Sequence, residues 1–126
     1  MLTVMGILIS MAAPSFHRSM EQSRADIAGA NLRAVWAAQR LYWLEYRTYT
    51  NNLSELESLG LLDPTIVSAT KPYEYSIVSA DASTFVAKAL RTQSQRWSGQ
   101  FEIDQDGVTG GVISATGEPD IVPGFQ

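Results

Sequence analysis

Residues 1–46 read MLTVMGILISMAAPSFHRSMEQSRADIAGANLRAVWAAQRLYWLEY. The first thirteen carry no charge. As a helix rising ~1.5 Å per residue they reach about 20 Å, short of the ~30 Å hydrocarbon core of a bilayer. Two readings are open. The segment is either the hydrophobic region of a signal peptide, although no basic region precedes it, or the remainder of a membrane helix whose first turns precede Met1. In the second case about 7 further apolar residues complete the ~20 that a span needs.

The residues after Ala13 favour the membrane helix. Pro14 lacks a backbone N–H and crowds the preceding turn, so it predicts a kink rather than a necessary end. Beyond it, Met20, Ile27, Ala30, Ala34, Ala37, Leu41 and Leu44 recur in steps of three and four. A neighbouring stripe carries Ala28, Leu32, Val35, Tyr42 and Tyr46. This is amphipathic helix periodicity. Arg18, Glu21, Arg24, Asp26, Arg33 and Arg40 supply its expected wet side. The density of small residues predicts a close neighbour, either a sheet of the same domain or other helices. A helix apolar all round at its start would expose a large patch to water, so it requires a membrane or a partner.

The remaining sequence predicts a small head. Asn52, with Glu55 three residues on, is an expected helix cap. Leu53, Leu56 and Leu59 form its expected buried edge, Gly60 ends it, and Pro64 blocks continuation. Tyr73, Tyr75 and Ile77 alternate as in a strand, and Asp81-Ala82-Ser83 is a turn. Thr84–Arg91 and Arg96–Asp104 read as second and third strands, with Gln105-Asp106-Gly107 as a hairpin turn. Val108–Ser114 is a candidate fourth, weakened by Gly110-Gly111, and Thr116–Gln126 reads as loop. The fold class is α+β: a long N-terminal helix packed on a three- to four-stranded antiparallel sheet. Residues 1–15 form the hydrophobic segment, and residues 16–126 form the head with the amphipathic half of the helix.

Charge and composition remove whole classes of function. There is no cysteine, which excludes disulfides, thiolate metal sites and cysteine nucleophiles. Residues 1–50 carry five arginines against three acids, and residues 51–126 carry four basic against ten acidic groups. An acidic head of this kind disfavours nucleic acid, whose binding depends on basic groups neutralising phosphates. The one histidine, His17, stands beside the membrane boundary and has no second histidine to complete a triad or metal set. Gly110-Gly111 lacks the helix and lysine of a phosphate loop. No reactive constellation is visible, so an enzyme is not expected. Trp36, Trp43, Tyr42, Tyr46 and Tyr49 cluster at the helix end, read as core packing under the sheet or as a subunit contact.

Gly6-Ile7-Leu8 followed by Ala13-Pro14-Ser15-Phe16, with glycine and proline eight residues apart, resembles the N-terminal helix of type IV pilins and type II secretion pseudopilins. The run from Ala38 to Tyr49, followed by Leu53-Ser54-Glu55-Leu56, is similar to the end of the pilin long helix. Only residues 1–16 and 38–62 carry the likeness in sequence. The basic leader, the cleavage and methylation site and the early glutamate of that family have no counterpart here, and neither do its paired C-terminal cysteines.

The resemblance implies a pilin-like structural subunit of a type IV pilus or secretion pseudopilus. It would be anchored as a single pass in a bacterial inner membrane, then moved into a periplasmic or extracellular filament with other pilins. Prepilin peptidase and an assembly platform would be further partners. The assembly face would be Leu2, Val4, Gly6, Ile7, Leu8, Ile9, Met11, Pro14 and Phe16. Some pseudopilins hold calcium in a C-terminal loop, which makes Asp104, Asp106, Glu118 and Asp120 calcium candidates if they converge, although the turn reading is preferred for Asp104–Gly107. Two alternatives stay open: a minor or tip pilin that binds a surface, cargo or DNA, and a small secreted domain after a signal peptide.

Overall fold

The structure is a computed structural model that describes residues 17–124 in full and, of residues 2–16, only that they belong to the first helix. In chain order the elements are α1 (Leu2–Tyr46), α2 (Leu53–Ser58), α3 (Pro64–Ser68), β1 (Tyr73–Ala80), β2 (Phe85–Arg91), β3 (Ser98–Asp104), β4 (Thr109–Gly110) and β5 (Ile113–Ser114). The Pro14 kink and the apolar face from Leu2 to Phe16 lie outside the described residues. The arrangement is α+β, one long helix on one antiparallel sheet.

One face of α1 builds the core. Ala25, Ala28, Leu32, Val35 and Ala38 recur at helical spacing, and all five are buried. Three of them are alanine, so the sheet can approach the helix backbone and fill the space with its own larger side chains. The sheet runs β1-β2-β3-β4, with β5 also paired to β3. Its register places Tyr75 opposite Ala89 and Ala89 opposite Phe101, and likewise Ile77, Ala87 and Ile103 in one row. Large side chains on the outer strands therefore flank small ones on β2 along the helix-facing surface. Phe85 closes this layer at one end, against the Tyr49 ring at 4.9 Å.

The buried face of the helix is not the first stripe expected from the sequence. Ile27, Leu41 and Leu44 are 58%, 53% and 62% exposed, and the sheet takes the neighbouring stripe of Ala28, Leu32 and Val35. Two apolar faces of similar periodicity run along this helix, both carrying alanines, and the sheet covers the one that bears Ala25, Ala28 and Ala38. Glu21, expected on the wet side, is only 1% exposed.

Further differences lie in the connections. Asn52 caps α2 as expected, accepting the Ser54 amide at 2.9 Å. Glu55 does not close the capping box itself. The Thr50 hydroxyl accepts the Asn52 amide and donates to the Glu55 carboxylate. Leu59 is exposed rather than part of the buried edge, because α2 stops at Ser58 and Gly60 turns the chain with φ of 75°. Pro64 does not merely block a helix. It opens α3 at the first helical position, where its missing N–H is harmless, behind Asp63 as cap. The expected fourth strand is two short ones, β4 and β5, laid on different parts of β3. The tail expected as loop carries Ile121, fully buried and bridged to Ile113.

Glycine decides how the split strand fits. Gly111 has φ of 86°, and a Cβ there would lie 2.2 Å from the Gln100 carbonyl oxygen. Gly117 has φ of 78° with nothing within 4 Å. Replacing Gly117 by alanine is expected to cost roughly 1–2 kcal/mol, the left-handed backbone term alone. Gly111→Ala adds a clash with fixed backbone and is expected to cost more, about 3 kcal/mol or above. Urea denaturation of the two variants checks the order.

Candidate functional site

The side of α1 turned away from its own sheet carries a row of exposed apolar side chains. Met20, Ile27, Leu41 and Leu44 lie along it, all exposed, with Ala30 and Ala37 also exposed between them. Steps of seven and three keep these positions on one side of a 3.6-residue helix. Ser19 and Ser23 share that side, with acidic side chains only at its borders, Asp26 and Glu45. Scattered exposed apolar residues are ordinary on any surface, but an aligned row along one helix is a candidate contact surface.

The N-terminal end of this face is held to the sheet by a buried ion pair. Arg91 at the end of β2 donates from Nε to Glu21 Oε2 at 2.7 Å and from Nη2 to Oε1 at 3.0 Å, a two-pronged contact. The two side chains are only 6% and 1% exposed. Arg91 Nη1 further donates to the Thr92 and Pro72 carbonyls at 2.7 and 3.2 Å, so the guanidinium is almost fully used. Arg24 adds a third donor to Glu21 at 3.3 Å. Beside them Tyr73 is buried and its hydroxyl has no protein partner. Burial, and then the negative charge of Glu21, push the pKa of that hydroxyl well up, so it stays protonated and available as a donor.

The tail completes the clasp on the other flank of the helix. Gln22 donates to the Val122 carbonyl at 2.7 Å, and the Gly124 amide donates to Asp26 at 2.7 Å. Arg18 donates to the Pro119 carbonyl at 2.9 Å and lies 3.6 Å from Glu118, which also pairs with Arg96.

These contacts show where the calcium candidates lie. Glu118 is committed to two arginines at the Ser98 end of β3. Asp104 stands six residues away at the other end, about 20 Å at ~3.3 Å per residue. There it accepts the Asp106 and Val108 amides and closes the hairpin turn. The Asp120 carbonyl accepts from Arg18. The four acids do not converge. Among the described residues no group of three His, Asp or Glu side chains is placed to hold a metal ion.

The aromatic cluster divides between core and surface. Trp36 Nε1 donates to the Gln105 carbonyl at 3.0 Å, and Trp43 Nε1 donates to the Ala82 carbonyl at 2.8 Å. Each indole thereby pins one sheet turn to the helix. Arg40 and Arg47 lie over these same rings at 5.0 and 4.8 Å. Tyr42 donates to Glu55 at 2.9 Å and holds α2, and Tyr46 lies half exposed beside it. His17 is exposed at the start of the described helix surface.

The sequence missed Glu21 and Arg91 as partners because nothing local links residues 70 apart. A signal was present in retrospect: Glu21 precedes Ala25, Ala28 and Leu32 at helical spacing, on the buried stripe.

No family model matches the chain, and no curated protein matches it. No helix among the described residues is long and apolar enough to cross a membrane.

Removing one partner from a buried ion pair leaves an uncompensated charge, typically costing ~3–5 kcal/mol. Arg91→Met is expected to lose that much stability in urea titration, whereas the double variant Glu21→Leu/Arg91→Met recovers a large part of it. If the double variant is as unstable as Arg91→Met alone, the pair is not what anchors this end of the helix.

Proposed function

We propose that the chain is a structural subunit of a pilin-class filament, a type IV pilus or a secretion pseudopilus. In this proposal residues 1–15 anchor it as a single pass in an inner membrane before assembly, with prepilin peptidase and an assembly platform as its processing and export partners. The outward face of α1 packs against the same helix in other subunits, and the sheet forms the filament surface.

The observation that carries this reading is the second apolar face on α1, opposite the one that the head itself covers. Burying a leucine, isoleucine or methionine side chain contributes roughly 1.5–3 kcal/mol. Four such residues in line offset a substantial part of the ~4–15 kcal/mol that association costs. The sequence resemblance at Gly6, Pro14 and the run from Ala38 to Tyr49 supports the same reading. The alanines between the large residues are suited to close helix–helix approach, as small residues are in membranes.

The absence of cysteine makes a direct test clean. In the full chain, expressed in its own host, Ile27→Cys and Leu41→Cys are expected to give oxidised ladders of cross-linked subunits in the sheared surface fraction. Val108→Cys, on an exposed hairpin of the sheet, serves as the comparison and is expected to give far fewer. Ile27→Asp combined with Leu41→Asp is expected to leave the melting temperature of the head within about 2 °C, since both sites are exposed, and to abolish filaments in negative-stain microscopy. A chain that remains monomeric in every fraction, or that assembles normally with both aspartates, sinks the proposal.

A further inference from the structure

Beside the Glu21–Arg91 pair, two adjoining hollows open between α1 and the segments on either side of β1 and β2. One, about 440 Å³, is lined by Arg24, Lys71, Pro72, Arg91, Thr92 and Gln93. The other, about 270 Å³, shares Arg24, Lys71 and Pro72 with it and continues inward over Ile27, Ala69, Tyr73 and Tyr75. The outer hollow is polar and basic, and the inner one is mostly apolar.

The electrostatics of this cleft run against those of the head. Of the four basic residues after position 50, two, Lys71 and Arg91, are here. Arg91 is committed to Glu21 and to backbone carbonyls, but Lys71 is exposed and makes no ion pair among the described residues. Arg24 meets Glu21 through one nitrogen, and its side chain stays 41% exposed. With three cations and one carboxylate around it, the cleft has a net positive charge and spare donors. Gln93, at its rim, holds φ of 56°, a strained backbone for a residue with a side chain. At the inner end the Asn31 amide donates to the Tyr75 hydroxyl at 2.9 Å and closes the wall, while the buried Tyr73 hydroxyl has no partner.

We propose that this cleft binds a small organic acid, its carboxylate held by Lys71 and the outer edge of Arg24 and its apolar body laid against Ile27, Pro72 and Tyr75. Complementary charge and shape select this ligand class. The cationic mouth requires an anion, and an arginine edge beside an ammonium suits a carboxylate. A bare inorganic anion would leave the apolar hollow unused. The volumes lie around the lower end of the ~300–1,000 Å³ typical of small-molecule sites, which fits one ring and a short chain rather than a nucleotide cofactor. Lys71, Pro72 and Tyr75 belong to the head, whereas Ile27 also lies on the proposed assembly face.

The test is an amide NMR titration of the isotope-labelled full chain with 4-phenylbutyrate, its neutral amide and inorganic phosphate, each separately. The expected result is saturable shifts at Ile27, Asn31, Lys71 and Tyr73 with the acid alone. Arg24→Gln and Lys71→Gln, both at exposed side chains, each weaken binding by about tenfold, equivalent to 1.4 kcal/mol, with the rest of the spectrum unchanged. Ala69→Leu, which keeps every charge, weakens it by narrowing the inner hollow. Equal binding of the amide would reduce the cleft to a greasy patch, and binding of phosphate alone would make it a bare anion site. Either result overturns the proposal, as does an absence of saturable shifts or binding that survives both charge variants unchanged.

Discussion

The close approach of the sheet to α1 is the constraint on which the other contacts depend. Ala25, Ala28 and Ala38 leave room beside the helix backbone, and Tyr75, Phe101, Ile103 and Phe85 fill it from the sheet side. Because β2 contributes Ala87 and Ala89 at the centre, the thinnest strand lies beneath the helix and the bulk sits on its neighbours. A methyl group too many at Ala28 or Ala89 would push the layers apart along their whole length, since interiors packed at crystal density have little slack. The polar contacts then act at the edges. Glu21–Arg91 fixes one end, Trp36 and Trp43 pin the turns at the other, and Gln39 exchanges two hydrogen bonds with the Thr50 backbone at 2.7 and 3.0 Å to fold the chain back after the helix. These set the register and direction of packing more than they drive it.

Much of this architecture was legible because it is written in local periods. Steps of three and four run from Met20 to Tyr46, period two runs through Tyr73, Tyr75 and Ile77, and Asp81-Ala82-Ser83 turns the chain with Asp81 accepting the Ser83 and Thr84 amides. Those two backbone bonds hold the Asp81 carboxyl below its ordinary pKa, the Ser83 amide contributing most. Local pattern fails where two solutions share one period. The two apolar stripes of α1 both mix alanines with larger side chains, and which one the sheet covers depends on strands far along the chain. It fails equally at the tail. Thr116–Gly124 has the composition of a loop, yet Ile121 is drawn into the core by a bridge to Ile113 that no neighbour in sequence announces.

The exposed face described here lies further along the helix than the face the sequence singled out. An assembly face on the long helix was expected from its apolar start, and the residues from Leu2 to Phe16 lie outside the described part of the structure. Within the described part, apolar character continues on the outward side to Leu44. The placement of the calcium candidates has a geometric basis that composition cannot contain: a strand of seven residues holds Asp104 and Glu118 apart, and arginines pair with the latter.

A helix with two apolar faces, one on either side, cannot satisfy both within a single small head. The sheet covers one, and Met20, Ile27, Leu41 and Leu44 leave the other exposed. The outward face must therefore be satisfied by water, at a cost for each exposed side chain, or by another molecule. Its shape favours a helix. Large side chains stand at both ends, Met20 and Ile27 at one and Leu41 and Leu44 at the other, with exposed alanines at 30 and 37 between them. A rod crossing at the alanines comes closest there and meets the larger residues on either side of the crossing, as ridges meet grooves in packed helices. On the proposed filament reading that rod is another copy of α1. On that reading, a parallel bundle of such helices would stand above the membrane.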